Sequence, residues 1–194
     1  MQGSVDGMMQ GYALVSASIR ERTDKLCGIM DEYRKHGFKM NAIQKWEGKT
    51  KGADYVYENR YELYNESMKL IKSKKKNAKA DFVLRWVQVP GLGPVKASFV
   101  AQLMAGWVGC IDVHNIRKYM PDEDPKKGTP SRWQCAGLSL ETQRKKCVDY
   151  IEFCEKVGGP KVLWDQWCNA RPLEMPKLID GEHLSSLHPQ WLTA

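Results

Sequence analysis

The stretch Val89-Pro90-Gly91-Leu92-Gly93-Pro94-Val95-Lys96-Ala97 has the composition of a turn built to hold a phosphate. Gly91 and Gly93 can adopt positive φ and admit a phosphate close to the backbone, and Pro94 suits the first position of a helix, where no amide donor is required. The amides that follow then point out of a helix N-terminus whose dipole favours an anion. Gly91, Gly93, Val95 and Lys96 are therefore candidate contacts to a nucleic-acid backbone. Upstream, Lys69 to Lys79 carries the densest positive charge of the chain. In isolation such a run is a solvated face. Lying about ten residues ahead of the turn, Lys74, Lys75, Lys76 and Lys79 are expected to reach phosphates flanking those held by the turn, adding salt-sensitive affinity without sequence preference. Downstream, Ile111-Asp112-Val113-His114 places a carboxylate where it can cap a following helix or stabilise charge on a reacting sugar, and the two roles are compatible.

The elements that must position these residues are helical. Apolar segments from Asp81 to Val87 and from Val95 to Trp107 flank the turn, with Phe82, Trp86, Phe99, Leu103 and Trp107 on their inner faces. Val15, Ile19, Leu26, Met30 and Tyr33 mark an apolar stripe that ends at His36-Gly37, a natural C-terminal stop. Asn41 is placed to cap a short helix carrying Ile43 and Trp46. After a polar break from Glu47 to Gly52, Tyr57, Tyr61, Tyr64, Met68 and Ile71 recur at spacings of four and three, which predicts a helix with one buried seam. The tyrosines are read as core, although such rings can also stack on unpaired bases. Pro121 to Pro130 reads as a surface loop. Ser139 caps a helix running to Val157, which Gly158-Gly159-Pro160 stops. Leu163, Trp164, Trp167 and Cys168 form a further short apolar helix, with the tryptophans as packing anchors. The last stretch, about 173–194, is an aperiodic tail. No useful strand alternation, repeat or boundary divides the chain, so residues 1–194 are expected to form one compact all-α domain.

The glycine turn between two helices, continued through Gly106-Trp107 to Ile111-Asp112-Val113-His114, resembles the helix-hairpin-helix of the DNA glycosylase superfamily to which endonuclease III belongs. The likeness spans about residues 81–119. In that family an aspartate just beyond the hairpin's second helix, in a Val-Asp-Thr-His setting, is the catalytic carboxylate, and Asp112 falls at that place to within one residue. The resemblance implies a monofunctional DNA N-glycosylase: the nucleotide is flipped out, Asp112 stabilises the developing sugar cation, and water attacks. Members with lyase activity carry a lysine two residues after the second glycine. This chain has Val95 there, with Lys96 one place later, so no covalent adduct is expected. The alternative is a non-catalytic DNA-binding module of the same hairpin type in a repair, packaging or virion assembly, including that of a phage.

Composition frames both readings. The 194 residues are 42% hydrophobic and 27% charged, ordinary values for a globular domain. A net charge of +7 and a pI near 9.0 favour a polyanionic partner. No run is long enough to span a membrane, and Met1 to Val15 lacks the features of a signal peptide, so an intracellular, reducing location is expected. The six cysteines, Cys27, Cys110, Cys135, Cys147, Cys154 and Cys168, contain no C-x-x-C pair. They are too scattered for the iron–sulfur site of endonuclease III relatives, and no metal or cofactor is expected. Cys147 and Cys154 share one helical face with Tyr150 and Ile151 and read as buried thiols.

Overall fold

The computed structural model describes residues 4–19, 25–37, 39, 47–123, 131–169, 177–178 and 182–183. The proposed Asn41 cap with Ile43 and Trp46, most of the 121–130 loop, and the 173–194 tail apart from two short strands lie outside these residues. The described part is an all-α domain, as the helical periodicity predicts.

Helix α1 (Val5–Ala17) starts where the Ser4 hydroxyl accepts the Gly7 amide at 2.9 Å, a side-chain cap that satisfies one of the donors a helix start leaves open. Nearly all of its length is buried, including Met8, Tyr12, Leu14 and Val15. Helix α2 (Leu26–Lys35) packs on it and ends at His36, with Gly37 at φ +58°. The stripe from Val15 to Tyr33 therefore belongs to two helices rather than one. Its buried members sit on both, Val15 on α1 and Leu26, Met30 and Tyr33 on α2, and at the C-cap of α1 the Ser18 hydroxyl donates to the Val15 carbonyl at 2.7 Å.

Helices α3 (Glu47–Glu58) and α4 (Arg60–Ile71) correct the next two expectations. The polar stretch Glu47 to Gly52 is the first half of α3, not a break. It packs through backbone: a β-carbon on Gly52 would lie 2.3 Å from the Pro90 carbonyl oxygen and 2.8 Å from the Tyr12 hydroxyl. Asn59 then ends α3 by donating its side-chain amide to the Tyr55 carbonyl at 2.8 Å. This interruption moves the buried seam to Ala53, Val56, Leu63 and Ser67 and leaves Tyr61 62% exposed. The tyrosines are thus not one core stripe; Tyr57 and Tyr61 instead flank the Arg60 guanidinium, 4.5 and 4.7 Å from their ring centres.

Helix α5 (Ala78–Val87) turns Phe82, Val83 and Trp86 inward, and the Trp86 indole donates to the buried Ser67 hydroxyl at 3.1 Å. Helix α6 (Pro94–Ala105) is buried over most of its surface and ends at Gly106, in the left-handed region at φ +65°. Phe82, Trp86, Phe99 and Leu103 are buried as expected. Trp107 is only partly so, meeting Phe82 edge-on at 6.1 Å.

Helix α7 (Val113–Tyr119) follows, then a 3-10 turn at Ser131–Trp133. Helix α8 (Leu140–Lys156) is capped by Ser139 and followed by Gly158 at φ +110°. Both ends match the sequence reading, except that Gly159 and Pro160 already open α9 (Gly159–Asn169). Cys147, Tyr150, Ile151 and Cys154 form the buried face of α8, and Leu163 and Trp164 that of α9. Two strands, β1 (Lys177–Leu178) and β2 (Glu182–His183), pair antiparallel with Lys177 opposite His183.

Candidate nucleic-acid interface and the Asp112 segment

The α5–α6 turn is compact. The Val89 amide donates to Trp86 O at 3.1 Å and the Leu92 amide to Val89 O at 3.0 Å. Pro94 occupies the first turn of α6 with Gly93 as its N-cap, whose carbonyl accepts from Lys96 and Ala97 at 3.1 and 2.9 Å. Among the described residues, the amides of Gly91, Gly93 and Val95 are bonded to no acceptor.

The two glycines differ in kind. Gly91 has φ +81°, and a β-carbon on it would stand 2.6 Å from the Gly48 carbonyl oxygen of α3. Both backbone conformation and packing require glycine there. Gly93 does not take the positive φ expected of it: its φ of −103° and ψ of 179° are extended values open to any residue, because it already holds the N-cap conformation of α6. A β-carbon there would meet nothing within 4 Å.

The lysines are not gathered around this turn. Helix α5 places its 10 residues, about 15 Å of axis, between the glycines and the 72–77 loop that holds Lys74, Lys75 and Lys76. These three are exposed, and among the described residues they make no ion pair. Lys79 turns toward α8 and pairs with Glu155 at 2.9 Å. Lys96 reaches back to the end of α1, donating to the Ser18 hydroxyl at 3.1 Å. Val95 is buried, so only its amide is available to a ligand.

Asp112 also lies away from the turn, beyond the 12 residues of α6, about 18 Å of helix. The Phe82–Trp107 contact brings the start of α5 beside the end of α6. The lysine loop and the segment leading to Asp112 therefore share one end of the helix pair, opposite the glycines. At that end Asp112 caps α7: its Oδ1 accepts the His114 and Asn115 amides, both at 3.1 Å.

The segment before Asp112 is held by three buried polar side chains that the sequence reading did not single out. Tyr150 donates its hydroxyl to Gly109 O at 2.8 Å and accepts the Ile111 amide at 2.8 Å. Gln102 accepts the Cys110 amide at 3.2 Å while donating to Pro160 O at 2.8 Å. Asn115 donates to Cys110 O at 2.8 Å. Burial raises the Tyr150 phenol well above its ordinary pKa, so it stays protonated as this bridge needs. At the head of the segment Val108 has φ +49° and is buried, an arrangement a β-branched residue adopts only where its surroundings over-determine it.

Among the described residues, a shallow recess runs along α8, lined by Glu141, Arg144, Lys145, Val148, Asp149 and Glu152 and not by Asp112. Among the described residues, no group of three His, Cys, Asp or Glu side chains is placed to hold a metal ion, and no helix is long and apolar enough to cross a membrane. The chain matches no family model, no curated protein and no solved structure.

Proposed function

We propose that the chain is a DNA-binding module that grips a phosphate of the duplex backbone at the Gly91-Leu92-Gly93-Pro94 turn. The observation that carries this reading is Gly93: neither its dihedral angles nor its packing calls for glycine. The space where its side chain would stand lies beside the unbonded amides of Gly91, Gly93 and Val95, and a phosphate oxygen suits both the space and the donors. Lys74, Lys75 and Lys76 add a second contact at the other end of α5. The 15 Å or so between them corresponds to roughly four or five base pairs of duplex axis, since successive phosphates of one strand rise about 3.4 Å. The net charge of +7 supplies the long-range attraction. Titrating a labelled duplex with the protein at low and moderate salt tests the reading. Saturable binding that weakens steeply with salt supports it, and no binding at low salt overturns it.

A second reading adds base excision at Asp112, and the strained Val108 with its buried hydrogen-bonded scaffold favours it. Such rigid support is costly for a helix cap alone and suits a carboxylate that must face a flipped nucleotide. Duplexes each containing a different damaged or modified base, examined for abasic sites, separate the two readings.

A further inference from the structure

The corner between α3 and α4 carries a column in which cations and aromatic rings alternate. Lys39 Nζ lies 5.5 Å from the centre of the Tyr57 ring, and the Arg60 guanidinium lies over two rings, 4.5 Å from the centre of Tyr57 and 4.7 Å from that of Tyr61. Backbone ties hold this corner in place. Arg60 Nη1 donates to the Tyr57 carbonyl, and the Asn59 side chain donates to the Tyr55 carbonyl at 2.8 Å. Tyr57 packs against the core, whereas Tyr61 lies outside it and is 62% exposed. With Arg60 over one face of the Tyr61 ring and the residue still this exposed, the other face is open to solvent. Single exposed rings are ordinary on protein surfaces. This one is held by a cation that is itself anchored to backbone, so its open face is presented in a fixed orientation.

We propose that the Tyr61 ring is a stacking platform for an unpaired base of a single DNA strand, a contact separate from the phosphate grip of the glycine turn. A base laid on the open face of Tyr61 continues the alternation of the column, and because every base has a π face the contact tolerates any sequence. The ring is already oriented by Arg60, so little side-chain freedom is lost when a base settles on it. Charge favours the same occupant. Arg60 and Lys39 place two cations in the column, while the carboxylates of the first turns of α4 are turned to Arg85, whose Nε bonds Glu66 and whose Nη2 lies 3.8 Å from Glu62. Position favours it as well: Arg85 belongs to the last turn of α5 and also donates to the Tyr55 hydroxyl at 3.1 Å. The α3–α4 corner is thereby fastened to the end of α5 that leads into the glycine turn, and a strand leaving a duplex held at the turn has Tyr61 at the same end of the domain. A base paired inside a duplex shows no free face, so the platform selects single strand.

The test measures, by fluorescence anisotropy at low salt, the affinity of the full-length protein for a labelled thymine strand, a labelled abasic strand of the same length, and a labelled blunt duplex. The two strands carry the same phosphates and differ only in their bases. The thymine strand should bind tighter than the abasic strand by about fivefold or more. Tyr61→Ala should remove this difference, Tyr61→Phe should keep it because the ring remains, and both variants should bind the blunt duplex as wild type does. Equal affinity of the wild type for the two strands overturns the inference, as does binding of neither strand or a preference for bases that persists in Tyr61→Ala. Gly93→Ala should weaken duplex binding and leave the ratio between the two strands unchanged. Loss of duplex binding therefore bears on the turn alone, and the ratio between the strands decides the platform. Measured on the wild type, that ratio decides it even where a variant fails to fold.

Discussion

Gly91 and Gly48 meet backbone to backbone: a β-carbon on Gly91 would stand 2.6 Å from the Gly48 carbonyl oxygen. With Gly52 against Pro90 O, this contact seats the α5–α6 turn on the first two turns of α3. The face of the turn toward α3 is therefore filled by protein. The space open at Gly93 is what remains for a ligand.

That asymmetry separates folding from binding. Gly91→Ala should cost about 1–3 kcal/mol from its positive φ alone, with the clash against Gly48 added, and urea denaturation will show a lower midpoint. Gly93→Ala should change stability by less than about 0.5 kcal/mol. Its methyl group would occupy the proposed phosphate position, so duplex affinity should fall by about tenfold or more, roughly 1.4 kcal/mol. A Gly93→Ala protein that binds like wild type removes the turn from the interface.

The lysine loop should act through charge alone. Replacing Lys74, Lys75 and Lys76 by glutamine leaves no described contact broken, so the melting temperature should hold. If all three meet phosphates, the slope of log affinity against log salt should become shallower by about 2 to 3. Lys79→Gln should have a smaller effect on binding, because that side chain is engaged with Glu155. An unchanged slope in the triple variant places the loop outside the DNA contact.

The helices and most of the core were legible in the sequence because apolar spacing and capping residues encode them. Ser139, Gly158, Phe82, Trp86, Cys147 and Cys154 all stand where those rules put them. What escaped were contacts without a side-chain signature. Gly48 and Gly52 made α3 look like a polar break, since a helix that packs through its backbone shows no apolar stripe. Tyr61 was misplaced because one Asn59 bond shifts the register of the seam between α3 and α4. The hydrogen bonds of Gln102, Tyr150 and Asn115 join residues far apart in the chain, and no local spacing reports them. Lys96 sits within the turn's sequence yet is held at Ser18, a partner the linear order does not suggest.

The Tyr150 bridge should be a principal support of the Asp112 segment. Tyr150→Phe keeps the ring on Trp133 and removes a hydroxyl that serves both a buried carbonyl and a buried amide. The Ile111 amide left unsatisfied costs about 1–3 kcal/mol, while the Gly109 carbonyl keeps the weak Cys154 thiol donor at 3.5 Å, so thermal unfolding should move down by several degrees. A Tyr150→Phe protein as stable as wild type would mean that water or a shifted side chain takes over the bridge.

Asp112 distinguishes the module from the enzyme. As an N-cap its replacement by alanine should cost about 0.5–2 kcal/mol, while asparagine, an equally good cap, should leave stability nearly unchanged. DNA binding should survive in Asp112→Asn, because the turn and the lysine loop are untouched. If the chain excises a base, that same variant should lose base release, since asparagine cannot stabilise the sugar cation or take a proton from water. Borohydride should trap no adduct with the wild type, because Val95 occupies the position where a lyase carries its amine; trapping at Lys96 would overturn the expectation of a water nucleophile. Full base release by Asp112→Asn would confine the aspartate to its helix cap. Absence of base release by the wild type on every substrate in the panel would leave the phosphate grip as the whole of the DNA reading.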